Sequence, residues 1–384
     1  MAGYVFAIGG KENPIDVIQQ CAERGIYSTV LNSLSPRPFE GTLTDYLSMK
    51  SGDNIYFFCQ RKYYGVGELI DVGSDCKYCN FPKASALSAF TYEEIKDKLL
   101  VDFGAESYKN RWICTFKGSP YFFKNGIDTD EILSYKPNTF KMLRAFWKVS
   151  FIKLGDEENN SLKEIFLLRH QKEMQSQTDI FNTNESTHTE IANKNLEDYI
   201  ITPQEMLETC NIGNRVKHEM ALEAKVVYDL CQGNIPEMGK WDYVSHQVVA
   251  SPFKPVDYMD KIDILAMKYL SGTKIPCKFL VTELKKDGAN NETINQVLKY
   301  VDWVCSEYAY GDYESIDACI IASSYSDNIN DYYRNVVQRY YTLGSHPVRN
   351  KQWTALKLLV YTYNNGTILY TDVTPNFEDD WINE

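Results

Sequence analysis

Lys261-Ile262-Asp263-Ile264-Leu265-Ala266 and, ten residues further on, Cys277-Lys278-Phe279-Leu280-Val281-Thr282-Glu283-Leu284-Lys285 decide how this chain is read. Both runs are apolar and β-branched enough to be interior strands, yet each carries a carboxylate. A lone buried charge costs several kcal/mol, so something must offset it. In Glu283-Leu284-Lys285 the two-residue period of a strand puts Glu283 and Lys285 on one face. Oxygen ligands from an Asp, a Glu and the backbone carbonyl of Leu284 are what Mg²⁺ accepts, with Mn²⁺ the alternative. Such a cation would polarise a phosphodiester and acidify a bound water, with Lys285 orienting that water or stabilising charge on phosphorus. The competing reading makes Glu283 and Lys285 a surface pair at a strand end and Asp263 a turn cap, an arrangement worth little energetically.

The neighbouring segments predict the sheet that holds these strands. Residues 216–230 carry Met220, Leu222, Ala224, Val227 and Leu230 at helical spacing. Residues 244–249 read as a further strand before the pair, residues 316–323 as one after it, and residues 293–306 and 326–343 as flanking helices. Helix, three strands, helix, strand, helix implies an α/β sandwich around a mixed central sheet.

Asp263 followed by Glu283-x-Lys285 resembles the core of the PD-(D/E)xK, or restriction-endonuclease-like, nuclease superfamily, with Ile262 standing where the superfamily's name has proline. The likeness spans roughly residues 215–325. Leu222-Glu223 resembles the preceding helix that brings a further acidic ligand, a place for which Glu219 competes with Glu223. Gln296 and Tyr300, four apart on one helical face, resemble the QxxxY signature of some branches. The resemblance implies a nuclease domain over residues 201–384. Its catalytic residues would be Asp263, Glu283, Lys285, Glu223, Gln296 and Tyr300, and its metal ligands Asp263, Glu283 and Leu284. The implied activity is that of a Mg²⁺-dependent endodeoxyribonuclease acting as a homodimer.

The first part of the chain reads differently. Short strands are expected at residues 4–8, 54–58, 65–72, 112–116 and 146–153, with a helix over 13–24, and a small closed or half-closed barrel is the usual way to bury so many. Glycines in Tyr64-Gly65-Val66-Gly67 mark close backbone approach or a bulge. The Met49-Lys50-Ser51-Gly52-Asp53 turn, the strand after it, Tyr64-Gly65-Val66-Gly67 and Phe146-Trp147-Lys148-Val149 resemble the PUA-like group that includes EVE, ASCH and YTH domains. That resemblance implies, over residues 1–154, a β-barrel with helices that holds a modified or flipped base between aromatic walls. Tyr56, Phe58, Tyr63, Tyr64, Trp112 and Trp147 are the candidate walls, and core packing is the other use of the same rings. Gln60-Arg61-Lys62 and Lys136, Lys141, Arg144 and Lys148 are candidate phosphate contacts or a solvated face. Residues 155–200, polar from Asp156 to Asn160 and poor in apolar residues after 175, read as a linker with one helix in it.

Composition sets outer limits. The 384 residues, 44% hydrophobic and 24% charged, suit two folded domains. No run approaches the ~18 apolar residues of a membrane span and the N-terminus lacks a signal-peptide pattern, so a cytoplasmic protein without membrane contact is expected. Ten cysteines without framework spacing are expected as reduced thiols, and Cys76-Lys77-Tyr78-Cys79 lacks a second ligand pair for zinc. A net charge of −12 excludes coating nucleic acid by bulk electrostatics but leaves room for a local basic surface. The combined expectation is a metal-dependent endonuclease directed to modified DNA by its N-terminal reader, in restriction or anti-phage defence. A repair endonuclease, an RNA-directed nuclease and a non-catalytic nucleic-acid-binding protein are the alternatives.

Overall fold

The computed structural model describes residues 2–9, 13–31, 35–145, 151–250, 260–344, 346–364 and 366–377. The chain divides into two compact units, Met1–Met206 and Leu207–Glu384. The first runs β1 (Gly3–Ala7), α1 (Pro14–Arg24), β2 (Ile26–Ser28), α2 (Pro36–Ser48), β3 (Asn54–Cys59), β4 (Lys62–Tyr63), β5 (Gly67–Leu69), β6 (Lys77–Cys79), α3 (Tyr92–Ile95), β7 (Trp112–Gly118), β8 (Phe122–Phe123) and β9 (Ile127–Asp128). It continues with α4 (Thr129–Tyr135), α5 (Met142–Ala145), β10 (Phe151–Leu154), α6 (Asp156–Arg169), α7 (Gln171–Ser176), β11 (Ile180–Phe181) and α8 (Ser186–Ala192). The division falls inside α9 (Gln204–Thr209).

Local chemistry explains the boundaries. Asn13 caps α1 by accepting from the Ile15 N–H, Pro14 opens the helix, and Gly25 closes it at φ 63°. The turn between β3 and β4 places Gln60 and Arg61 at φ 46° and 66°, both left-handed as a two-residue hairpin requires. At Gly65 φ is +84°, and a Cβ there would stand 2.5 Å from the Phe122 Cα, so close backbone approach fixes that glycine.

The main sheet of this unit is ordered β10-β1-β3-β5-β7-β2, with β1 and β3 parallel. Among the described residues its end strands do not pair with each other, so the expected barrel is not closed. β4, β6 and β9 join the sheet off this path, and the strands at its two ends have four and three residues, short enough to present little unpaired backbone. The stretch expected as a linker is packed into the unit. Leu162, Ile165 and Phe166 of α6 are buried, β11 pairs β8, and Ile191 of α8 joins a cluster with Ile26, Val72, Tyr78, Leu100, Val101 and Ile113. A few apolar residues at long intervals suffice, because each docks on a surface supplied by distant strands.

The second unit runs β12 (Asn211–Ile212), β13 (Arg215–Val216), α10 (Glu219–Gln232), β14 (Tyr243–Val249), β15 (Lys261–Tyr269), β16 (Pro276–Ala289), α11 (Asn291–Glu307) and β17 (Ile316–Tyr325). After these come α12 (Ile329–Val336), β18 (Arg339–Leu343), β19 (Arg349–Trp353), β20 (Leu356–Asn364) and β21 (Thr367–Asp372). Its six-stranded sheet is ordered β14-β15-β16-β17-β20-β21, parallel from β16 to β20 and antiparallel outside, so the sheet is mixed. α10 packs on β14, β15 and β16, and α11 on β16 and β17. Asn290 caps α11 through the Glu292 and Thr293 N–H groups, which starts the helix directly after β16. The helix expected over 326–343 stops at Val336; the remainder is β18, paired with β19. No helix among the described residues is long and apolar enough to cross a membrane.

Candidate functional site

Period-2 geometry sends Glu283 and Lys285 to one face of β16, and the Lys285 Nζ donates to Glu283 Oε1 at 2.6 Å. β15 and β16 remain in ladder register as far as Ile264↔Thr282. Beyond that pair the Asp263 carboxylate takes the place of a backbone partner, and the Leu284 N–H donates to Asp263 Oδ2 at 2.8 Å. The N–H and C=O of one strand residue share an edge, so the Leu284 carbonyl belongs to the same gap. On its other side β16 stays paired with β17 from Glu283↔Ile320 to Lys285↔Ala322, which keeps the three residues rigid.

α10 closes the site from one turn to the next. Glu223, 3% exposed, has both carboxylate oxygens occupied: Oε1 by His246 Nδ1 at 2.8 Å and Oε2 by Gln247 Nε2 at 2.7 Å. Gln247 Nε2 also reaches Asp263 Oδ1 at 3.2 Å, so one amide joins the helix carboxylate to the strand carboxylate. Glu219 Oε2 accepts from the Lys286 N–H at 3.2 Å and places negative charge beside Glu283 and Lys285. Glu223 thus sits on the Asp263 side and Glu219 on the Glu283 side, four residues apart on the helix.

The electrostatics follow from crowding acids in a dry place. Burial first, then the charges of Glu283 and Glu223, hold the Asp263 carboxyl well above the usual range. Burial likewise raises Glu283, against the pull of the Lys285 ammonium. Burial opposes the charged form of Lys285, but the Glu283 carboxylate outweighs it and holds the amine above its ordinary value. Glu283 is 1% exposed, and its Oε2 meets no donor. The neighbouring Asp263 carboxyl supplies one only when Asp263 itself is protonated. Tyr300 on α11 accepts from Gln296 Nε2 at 2.8 Å. Its hydroxyl is pushed up to about 12 by burial, with the Glu283 and Asp263 charges adding to the shift.

Around the place where β15 and β16 part, Gln247 bridges Asp263 and Glu223, Lys285 bonds Glu283, and Tyr300, bonded to Gln296, lies within electrostatic reach of Glu283 and Asp263. Two more belong to the cluster and carried no sequence signal, His246 and Gln247. Gln247 faces Asp263 across the ladder, between His246↔Ile264 and Val248↔Ile262, and its φ of +52° is left-handed in a residue that is not glycine. Such a conformation costs ~1–3 kcal/mol and persists where surrounding contacts over-determine it. Here those contacts are the two carboxylates that its side chain bridges.

The donor set suits a hard divalent cation: a carbonyl edge and two carboxylates, one of which keeps a buried oxygen without a partner. Among the described residues no third His, Cys, Asp or Glu ligand atom joins Asp263 and Glu283 within 4.8 Å, so two side chains, backbone and water would complete the coordination. A tighter acidic group in the first unit, Asp71, Asp75 and Cys76, has Asp75 paired to Lys77 at 2.9 Å. Cys76 and Cys79 are buried free thiols.

The aromatic candidates among the described residues of the first unit find their packing partners in different places. Tyr56 donates its hydroxyl to Asn159 and stacks near Phe166 of α6, while Trp112 packs against Phe39 and Tyr46 of α2. Phe58 and Tyr63 pack on each other at 4.7 Å, and Tyr63 and Tyr64 are buried. Trp147, Lys148 and the rest of 146–150 lie outside the described residues. Of the basic candidates, Arg61 pairs with Asp128 and Asp130, and Lys136 with Glu164.

No family model matches the chain, and no curated protein matches it. Solved structures resemble part of it distantly. A protein from Agrobacterium tumefaciens is 12% identical over 43% of this chain and 92% of its own, at a TM-score of 0.26. A hypothetical protein from Leishmania major is 16% identical over 46% and 97%, and a protein from Pseudomonas putida 14% over 44% and 99%, each at a TM-score of 0.27. Likenesses this remote assign nothing to the chain.

Proposed function

We propose that the second unit is a metal-dependent endonuclease that hydrolyses DNA phosphodiesters between Asp263, Glu283 and Lys285, and that the first unit selects the DNA, modified DNA in particular. One observation supports the cutting site above all: Glu283 keeps an oxygen buried without a donor while Lys285 occupies the other. An unpartnered buried carboxylate oxygen is costly, and a cation held by Asp263, Glu283 and the Leu284 carbonyl removes the cost. Mg²⁺ or Mn²⁺ bound there supplies Lewis acidity toward a phosphate oxygen and a more acidic water.

The chain's own groups do the rest. Leu284 N–H and Gln247 hold Asp263 in one orientation, so little reorganisation remains when phosphate arrives. Lys285 keeps its proton and presents positive charge where negative charge grows on the phosphate. Tyr300 likewise stays protonated and, with Gln296, gives the site a hydrogen-bonding wall.

The test is incubation of the full chain with Mg²⁺ and a panel of plain, methylated, hydroxymethylated and glucosylated plasmids. The expected result is nicking or linearisation of at least one class, abolished by EDTA. Absence of cutting throughout the panel, or cutting that survives EDTA, contradicts the proposal, and binding without cutting favours a non-catalytic binder.

A further inference from the structure

β18 and β19 form a two-stranded antiparallel ribbon of their own, outside the six-stranded sheet. Its base is fixed to the unit. Arg339 pairs with Asp302 through Nε at 2.7 Å and Nη2 at 3.0 Å, the Trp353 indole N–H donates to the Ile316 carbonyl at 2.7 Å, and Tyr341 packs on Tyr313. The register Tyr340↔Gln352 and Thr342↔Asn350 then puts Tyr340, Thr342, Asn350 and Gln352 together on the opposite face. All four are exposed, Tyr340 at 74%. In a chain of net charge −12, residues 338–353 contain no Asp or Glu, and they include Arg339, Arg349 and Lys351.

We propose that this ribbon is a base-reading arm that enters the major groove of duplex DNA, an inference that rests on the nuclease reading of the same unit. Strands ~5 Å apart with side chains on both faces match a groove ~12 Å wide. Amide and hydroxyl side chains are the chemistry that reads base edges there: Asn and Gln bond adenine through two contacts, and Thr serves either partner. Arg349 is exposed on the other face, beside the phosphate walls that flank an inserted ribbon. Lys351 is held by a half-exposed pair with Glu314, the kind a phosphate readily displaces. A face built to dock protein would have an apolar centre depleted of such amides, which argues against a second copy of this chain as the occupant.

The experiment measures binding of the full chain, in EDTA, to a duplex pool with a randomised centre, by fluorescence anisotropy and by sequencing the bound fraction. The parent is expected to enrich particular sequences. The triple variant Thr342→Ala, Asn350→Ala, Gln352→Ala is expected to bind them about tenfold more weakly and without sequence bias. Arg349→Ala should lower the slope of log affinity against log salt by about one for every sequence. These changes touch exposed side chains, and matching melting curves separate them from a folding defect. Affinity and enriched sequences unchanged in the triple variant, with a binding parent, overturn the arm alone. A change of oligomeric mass with binding intact overturns it in favour of contact between copies. A parent that binds no duplex overturns the arm, while the cleavage panel with Mg²⁺ decides the nuclease reading separately.

Discussion

Tyr56 in the first unit and Glu283 in the second are polar residues buried on central strands, and the chain treats them in opposite ways. The Tyr56 hydroxyl lies 2.7 Å from Asn159 Oδ1, whose amide donates to Asn54 Oδ1, whose amide in turn reaches the Gly67 carbonyl. Every member of that network has a partner inside the fold. At Glu283 the network is left open on one oxygen, next to a second acid and a lysine. A closed polar network holds a core together, whereas an open one where two strands part is an invitation to a ligand.

The widest separation between the two regions is expected from Glu283→Ala and Lys285→Ala. Each should lower single-turnover cleavage by ~10³-fold or more while leaving thermal unfolding near the parent's. A similar loss of cleavage from Tyr56→Phe, with binding retained, would break the contrast. Trp112→Ala is expected to act on the fold instead, destabilising the first unit by ~3–5 kcal/mol in urea unfolding, because the ring is wholly buried among Phe39 and Tyr46. A stable, well-folded Trp112→Ala protein would show that the ring borders a void rather than a packed core.

Next in size is a pH effect confined to the first unit. Burial pushes the Glu158 carboxyl up from 4.5 to about 7, against backbone N–H donors including Met142 at 2.7 Å. A pKa raised on folding favours the folded state below the unfolded value, and that contribution disappears as pH rises through about 7. Melting of the first unit should therefore fall between pH 5 and pH 8 by an amount on the order of 3 kcal/mol. Glu158→Gln should flatten this dependence, and an unchanged profile would assign it elsewhere. The smallest effect is expected from Gln247→Ala, about 10–100-fold in cleavage rate, since the amide acts through Asp263 and Glu223 rather than on the phosphate.

How much of this was legible in the sequence depended on whether a signal was local. Asp263 and Glu283 stand out because a charge within an apolar strand is anomalous wherever the strand goes, and the period of two places Lys285 beside Glu283. Gln247 has no such mark, as an uncharged polar residue on a strand is ordinary until its φ and its two partners are known. The ribbon was hidden for a related reason. Val336-Val337 ends α12, and β18 exists only because residues 349–353 return to pair with it. In the first unit, aromatic content announced a core but not which rings it enclosed. The docking of Ile180, Phe181 and Ile191 depended on surfaces far away in sequence.

Mn²⁺ titration by calorimetry, with no nucleic acid present, tests the shared cation most directly. The parent chain should bind one ion, Asp263→Asn and Glu283→Gln should each abolish that binding, and Tyr56→Phe should leave it intact. An ion bound equally well by Asp263→Asn would contradict the convergence of the two strand carboxylates on a single cation.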